Sequence, residues 1–138
     1  NQIELHPWCQ KTKLISYLKH NDIPVIAFSS LVPLSNWRSK KGENSSKSEQ
    51  MKADGKDPSS ILKVMANKYG VSEAQVLLKW GLQNGYAIIP KSSKQYRIKQ
   101  NIDLYSFTLD DTDMQKLASL QRSDGGVAWP EGDPTLIA

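Results

Sequence analysis

The chain has a single cysteine, two histidines and no apolar run long enough to cross a bilayer, which takes about 18 residues. Each shortage closes off a class of protein. A lone Cys9 cannot form an internal disulfide, which suits a reducing compartment. The opening residues Asn1-Gln2-Ile3-Glu4 lack the basic start and apolar core of a secretory signal, so a cytoplasmic location is expected. Two histidines and one cysteine are too few to suggest a metal centre, and none is expected. Neither a G-x-G-x-x-G nor a Walker sequence occurs, so a Rossmann or P-loop nucleotide site is not supported. No repeat with a period of roughly 20–50 residues is visible. Lys and Arg (18) exceed Asp and Glu (14), giving a net charge of +4. The positive charges are scattered and not interleaved with aromatics, so no nucleic-acid partner is expected, and no membrane partner either.

The 138 residues, 38% hydrophobic and 23% charged, suffice for one globular domain with a modest core. Asn1 to Leu5 alternates polar and apolar residues like a strand with two different faces; with Ile3 and Leu5 toward helices, Gln2 and Glu4 face the other way. This strand starts without a cap or turn, so the numbering is expected to begin inside a larger fold. His6-Pro7 ends it, and His6 is read as a structural residue that satisfies a loop hydrogen bond. Leu14, Ile15 and Leu18 make a helical stripe between Lys11 and Asn21, with Thr12 as the expected cap. Val25-Ile26-Ala27-Phe28 reads as a parallel strand buried on both faces. A long polar loop at 32–57 follows, and Asp57-Pro58 is expected to open the next helix. There Ile61, Met65 and Tyr69 form the stripe, and Gly70 is the left-handed stop. Ser72 and Gln75 form a capping box for a second helix with Ala74, Leu77, Leu78 and Gly81 inward. Asn84-Gly85 turns into a last strand, Tyr86-Ala87-Ile88-Ile89. Asp110 caps a final helix with Met114, Leu117 and Ala118 inward, before an irregular tail at 121–138.

The stretch from Ile88 to Asn101 carries the chemistry. A buried strand end, stopped by Pro90, passes into the polar loop Lys91-Ser92-Ser93 and a helix capped by Ser92 or Ser93. Arg97, Gln100 and Asn101 share one helix face. Free N–H groups at a helix start, a lysine, hydroxyls and an arginine suit a phosphate. A solvated basic loop fits the same residues.

Ile-Pro-Lys-Ser, then Arg-Ile, then Asn is similar to the C-terminal fingerprint of the aldo-keto reductases. Asn1-Gln2-Ile3-Glu4-Leu5-His6-Pro7 resembles that family's sixth barrel strand and the turn after it. Ala27-Phe28-Ser29-Ser30-Leu31 resembles its Tyr-Ser-Pro-Leu segment, and Ala74-Gln75-Val76-Leu77-Leu78-Lys79-Trp80 its Ala-Gln-Val-Leu-Leu-Arg-Trp helix. The four stretches stand in family order. The resemblance implies an α/β fold: the C-terminal part of a (β/α)8 TIM barrel, about three βα units plus C-terminal helices and tail. It implies NADP(H) as cofactor and a small-molecule carbonyl substrate, reduced to an alcohol.

By resemblance, Gln2 meets the nicotinamide carboxamide and Phe28, where the family usually has Tyr, stacks on the ring. Ser29 and Leu31 approach the pyrophosphate; Lys91, Ser92 and Arg97 hold the 2′-phosphate; Gln100, where Glu is frequent, and Asn101 meet adenine. Trp37 and Trp129 are candidate substrate contacts. Ser30 replaces the family Pro, and Val32 its usual Gly, which matters if that position needs positive φ.

In the family a Tyr, Lys, Asp and His carry out proton transfer. Tyr17, Tyr69, Tyr86, Tyr96 and Tyr105 stand at other motif positions, so no catalytic residue is assigned here. The resemblance therefore implies part of a monomeric reductase whose N-terminal barrel half supplies that group, with no turnover expected from this portion alone. The alternative is a non-catalytic half-barrel module that binds a nucleotide phosphate or serves assembly.

Overall fold

Short β-branched runs separated by helices leave the strands no way to pair except side by side in the same direction. The computed structural model describes residues 1–34 and 60–122. In it β1 (Gln2–Glu4), β2 (Ile26–Phe28) and β3 (Ala87–Ile88) form a parallel sheet in sequence order. Gln2 lies opposite Ile26, Glu4 opposite Phe28, and Ala27 opposite Ile88. Helices α1 (Thr12–His20), α2 (Ile61–Tyr69), α3 (Glu73–Gln83), α4 (Gln95–Ile102) and α5 (Asp111–Ala118) complete the described elements.

The pleat divides the sheet residues into two sets. Leu5, Val25, Ala27 and Tyr86 are buried, in one cluster with Trp8, Ile15, Leu18, Leu62, Met65, Val76, Leu77, Trp80, Leu109 and Leu117. Burying one such leucine contributes about 1.5–3 kcal/mol, so this cluster is what holds the helices to the sheet. The alternate set differs: Gln2, Ala87 and Ile89 are exposed, Ile26 and Phe28 only half-buried, and Glu4, hydrogen-bonded to His6, is its one buried member among these strands. The strand at Val25–Phe28 is thus covered on one face, not on both as its apolar composition suggests, because the cluster that joins α1, α2, α3 and α5 to the sheet lies on the Val25 and Ala27 side.

The ends of the helices follow local chemistry in part. Gly70 adopts φ 66 and closes α2, and Ser72 with Gln75 forms the reciprocal capping box of α3. Asp110 caps α5, its carboxylate accepting from the Asp113 N–H at 2.8 Å. Thr12, however, is the first residue of α1; Lys11 is the N-cap, left-handed at φ 48 and with no side-chain capping hydrogen bond. The described start of α2 is capped by Ser60, which accepts from the Lys63 N–H, while Asp57 and Pro58 lie outside the described residues. On α5 the inward residues are Asp113, Leu117 and, in part, Met114; Ala118 is exposed. The expected 32–57 loop begins with a 3-10 turn, Val32–Leu34. The rest of that loop, and the 121–138 tail beyond Arg122, lie outside the described residues.

Asp113 is buried for a reason. Its carboxylate accepts from Lys68 Nζ at 2.6 Å, Tyr69 Oη at 2.8 Å and Lys116 Nζ at 3.1 Å. Lys68 also reaches Asp110, and Tyr69 Oη accepts from the Asp110 N–H. The Lys68 hydrogen bond, more than any other contact, holds the Asp113 carboxyl down at about 2. Lys68 in turn is pushed above the ordinary lysine range, chiefly by Asp110. This knot fastens the start of α5 to the end of α2.

Candidate functional site

Parallel strands deliver their following loops to one end of a sheet, and in barrels and open α/β sheets that end is where ligands sit. The register places Ser29 to Leu31 and Pro90 to Ser92 there, on adjacent strands, since Ala27 pairs with Ile88. Gln2 and Phe28 lie on the uncovered face of the sheet, Phe28 at the strand end and Gln2 two residues lower, level with Ile26. The uncovered face, the β2 loop and the β3 loop thus meet along one rim. Among the described residues this rim carries every sequence-derived cofactor candidate except those on α4.

The β2 loop turns at Ser29, which takes φ 57. Its carbonyl accepts from the Val32 N–H at 3.0 Å, and Ser30 Oγ donates back to the Ala27 carbonyl. The left-handed residue is Ser29, while Val32 sits inside the 3-10 turn. Replacing Gly by Val is therefore compatible with this loop. Leu31 is half-buried against the core.

The β3 loop leaves Lys91 exposed. Neither Ser92 nor Ser93 caps the following helix: Lys94 is the N-cap, with no side-chain bond. Ser92 Oγ instead accepts from the Lys94 N–H at 3.1 Å, a local turn that competes with capping. The first N–H groups of α4 consequently have no side-chain cap. Arg97 lies in the first turn, its Nε donating to Tyr96 Oη at 3.0 Å and its guanidinium 5.6 Å from that ring's centre. Its terminal nitrogens make no hydrogen bond among the described residues. Gln100 is exposed and Asn101 half-buried on the same helix. Lys91, the open helix start and Arg97 together form a positive, solvent-facing edge able to take a multiply charged anion. Trp37 and Trp129 lie outside the described residues.

Two groups escaped sequence reasoning. Glu4 and His6, alternate residues at the end of β1, are buried and share a hydrogen bond, Nε2 to Oε1 at 3.1 Å. His6 also exchanges backbone bonds with Cys9, while its ring is held by a carboxylate and not by the loop. The alternation that marked Glu4 as facing away from Leu5 was the available signal. The second group is Gln75, Lys79 and Gln83, polar at four-residue spacing on an otherwise apolar helix; only the capping part of Gln75 was legible.

The sequence model of the aldo/keto reductase family matches residues 1–122, and the chain belongs to that family. The chain is 38% identical over 119 residues to the NAD(P)H-dependent D-xylose reductase of Scheffersomyces stipitis, covering 86% of this chain and 36% of that protein. It is 37% identical over 123 residues to the NADP-dependent D-sorbitol-6-phosphate dehydrogenase of Malus domestica, covering 88% and 36%. A mutant of Gox0644 solved in complex with NADPH is similar in structure, with TM-score 0.72 and 30% identity over 94% of this chain and 40% of that one. The fold is accordingly part of the barrel those proteins have. The chain spans little more than a third of the length of these relatives.

Proposed function

We propose that this chain is the C-terminal portion of an NADPH-dependent carbonyl reductase and supplies most of its cofactor clamp. The observation that carries the reading is the positive rim: two loops delivered by adjacent parallel strands to one end of the sheet, the second bearing exposed Lys91, an uncapped helix start and Arg97. Relatives named for NAD(P)H and an NADPH-bound structural neighbour support it. In this assignment Gln2 holds the carboxamide and Phe28 stacks on the nicotinamide. Ser29 and Leu31 line the pyrophosphate. Lys91, Ser92 and Arg97 take the 2′-phosphate, and Gln100 and Asn101 the adenine. Bound NADPH supplies the hydride; these residues orient it. The long 32–57 segment would fold over the cofactor, with Trp37 and Trp129 meeting a small carbonyl substrate. The acid that protonates the product oxygen, and the strands that cover the open sheet face, would come from the family's N-terminal barrel half, in a monomeric cytoplasmic enzyme.

Each charge-assisted bond to phosphate contributes roughly 1.5–3 kcal/mol, so Lys91 and Arg97 together favour NADPH over NADH on the order of 10²–10⁴-fold. Titrations of the full chain followed by nicotinamide fluorescence test this. Arg97→Ala is expected to weaken NADPH roughly 10- to 100-fold and to leave NADH nearly unchanged. Equal affinities for the two cofactors, unaltered in Arg97→Ala, would sink the assignment.

A further inference from the structure

The helix that bears Arg97, Gln100 and Asn101 has no buried residue of its own. Ile98 and Ile102 are exposed, as are Tyr96 and the following Tyr105. Apolar anchoring, which holds every other described helix, is therefore missing from α4, and something else must set where it lies. Its first end is tied covalently to β3 through the six residues Ile89 to Lys94. The other end is gripped from α3.

Gln75 Nε2 donates to the Asp103 carbonyl at 2.8 Å, and Lys79 Nζ donates to the Leu104 carbonyl at 2.8 Å. Asp103 is the C-cap of α4, and Leu104 the residue after it. One turn further along α3, Gln83 exchanges both bonds with the Leu109 backbone, Nε2 to the carbonyl and N–H to Oε1, each at 2.9 Å. Three side chains at four-residue spacing stand on one face of α3 and hold the strap that runs from α4 to α5.

Lys79 stands out within this row. Its side chain is buried, and among the described residues no carboxylate pairs with it. The ammonium instead lies 5.7 Å from the Tyr105 ring centre and 5.6 Å from that of Phe107. A buried cation is costly unless its surroundings replace water, and a carbonyl with two π faces does so in part. The charge is thus satisfied by the strap only while the strap is in place, which makes the grip mutual.

We propose that Gln75 and Lys79 are positioning residues for the cofactor helix: they fix α4 by its carbonyl end, and so set where Arg97, Gln100 and Asn101 stand. This rests on the cofactor reading above for its consequence, though not for its mechanics. Lys79→Met removes the donor and the charge while keeping the stem. Hydrogen exchange of the ligand-free full chain should then rise at residues 95–104, with α2 and α5 still protected. NADPH affinity should fall roughly 2- to 30-fold, the range of couplings carried through packed neighbours. The preference for NADPH over NADH should shrink with it. Lys79→Arg keeps a cation and donors in reach of the carbonyl and rings, and should restore both. If Lys79→Met fails to fold, Gln75→Glu serves: a glutamate maintains the capping box but has no amide to give the Asp103 carbonyl. Unchanged exchange at 95–104 in a folded variant would overturn the inference, as would equal loosening of α2, α3 and α5, which marks general destabilisation. If the unaltered protein binds neither cofactor, the functional reading fails, and the exchange result still decides the positioning.

Discussion

The Asp113 knot offers the sharpest quantitative test, because its strength depends on pH in a way fixed by its geometry. The carboxylate is buried, accepts three side-chain hydrogen bonds, and is held at about 2 against an ordinary 3.8, first of all by Lys68. Unfolding releases it to the ordinary value. At 1.36 kcal/mol per unit the difference amounts to about 2.5 kcal/mol. Lys68 and Lys116 are about half exposed, at 47% and 55%. Solvent screening therefore lowers the expectation to roughly 1–2 kcal/mol.

A depressed carboxyl contributes fully above its unfolded value and loses the contribution as pH falls through its folded value. Asp113→Asn should therefore cost roughly 1–2 kcal/mol at pH 7, about half of that at pH 3, and only about a sixth of it at pH 2. Urea denaturation of both proteins between pH 3 and pH 7 measures this directly, with a constant m-value as the control. A cost independent of pH would refute the reasoning, since it would assign the loss to shape or hydrogen-bond number and not to charge. No cost at pH 7 would show that the knot adds nothing.

Two further outcomes follow from packing. A Cβ on Gly81 would stand 3.0 Å from Ile88 Cγ2, where α3 crosses β3. Overpacking costs about 1–3 kcal/mol against a gain near 1 kcal/mol in helix propensity, so Gly81→Ala should destabilise by about 1 kcal/mol. The same change made together with Ile88→Ala should not, and a cost that persists there would exclude the clash. Burial raises the Tyr86 phenol above its ordinary 10.0, so its favourable contribution is complete below that pH and is lost as pH rises through the folded value. Ultraviolet titration should show a late-ionising phase that vanishes in Tyr86→Phe; its persistence would place it on another tyrosine.

Much of this molecule is written in short stretches of chain. Gly70, the Ser72–Gln75 box and Asp110 act within four residues, so their roles could be read without a fold, and the structure has all three in place. The strand runs and the ordered motifs of the family were equally legible, because apolar alternation and motif spacing are local properties. Where two local solutions compete, sequence alone chose badly: Ser92 offers its oxygen to the Lys94 N–H and not to the helix, and Thr12 gives up the cap to Lys11.

What the tertiary structure decided is everything that depends on partners far along the chain. Periodicity says which residues share a face and nothing about what covers that face. It grouped Ala118 with Leu117, whereas Lys68 and Tyr69, more than forty residues away, draw Asp113 inward. It marked β2 as apolar throughout, but could not say that helices cover only the Ala27 side. It made Gln75 a cap, but the carbonyl that takes its second bond lies 28 residues on. For Lys79 the composition of the helix gave a charge among apolar neighbours. Only the folded chain brings the Leu104 carbonyl, Tyr105 and Phe107 around it, because a buried cation acquires its meaning from groups that the backbone must first assemble.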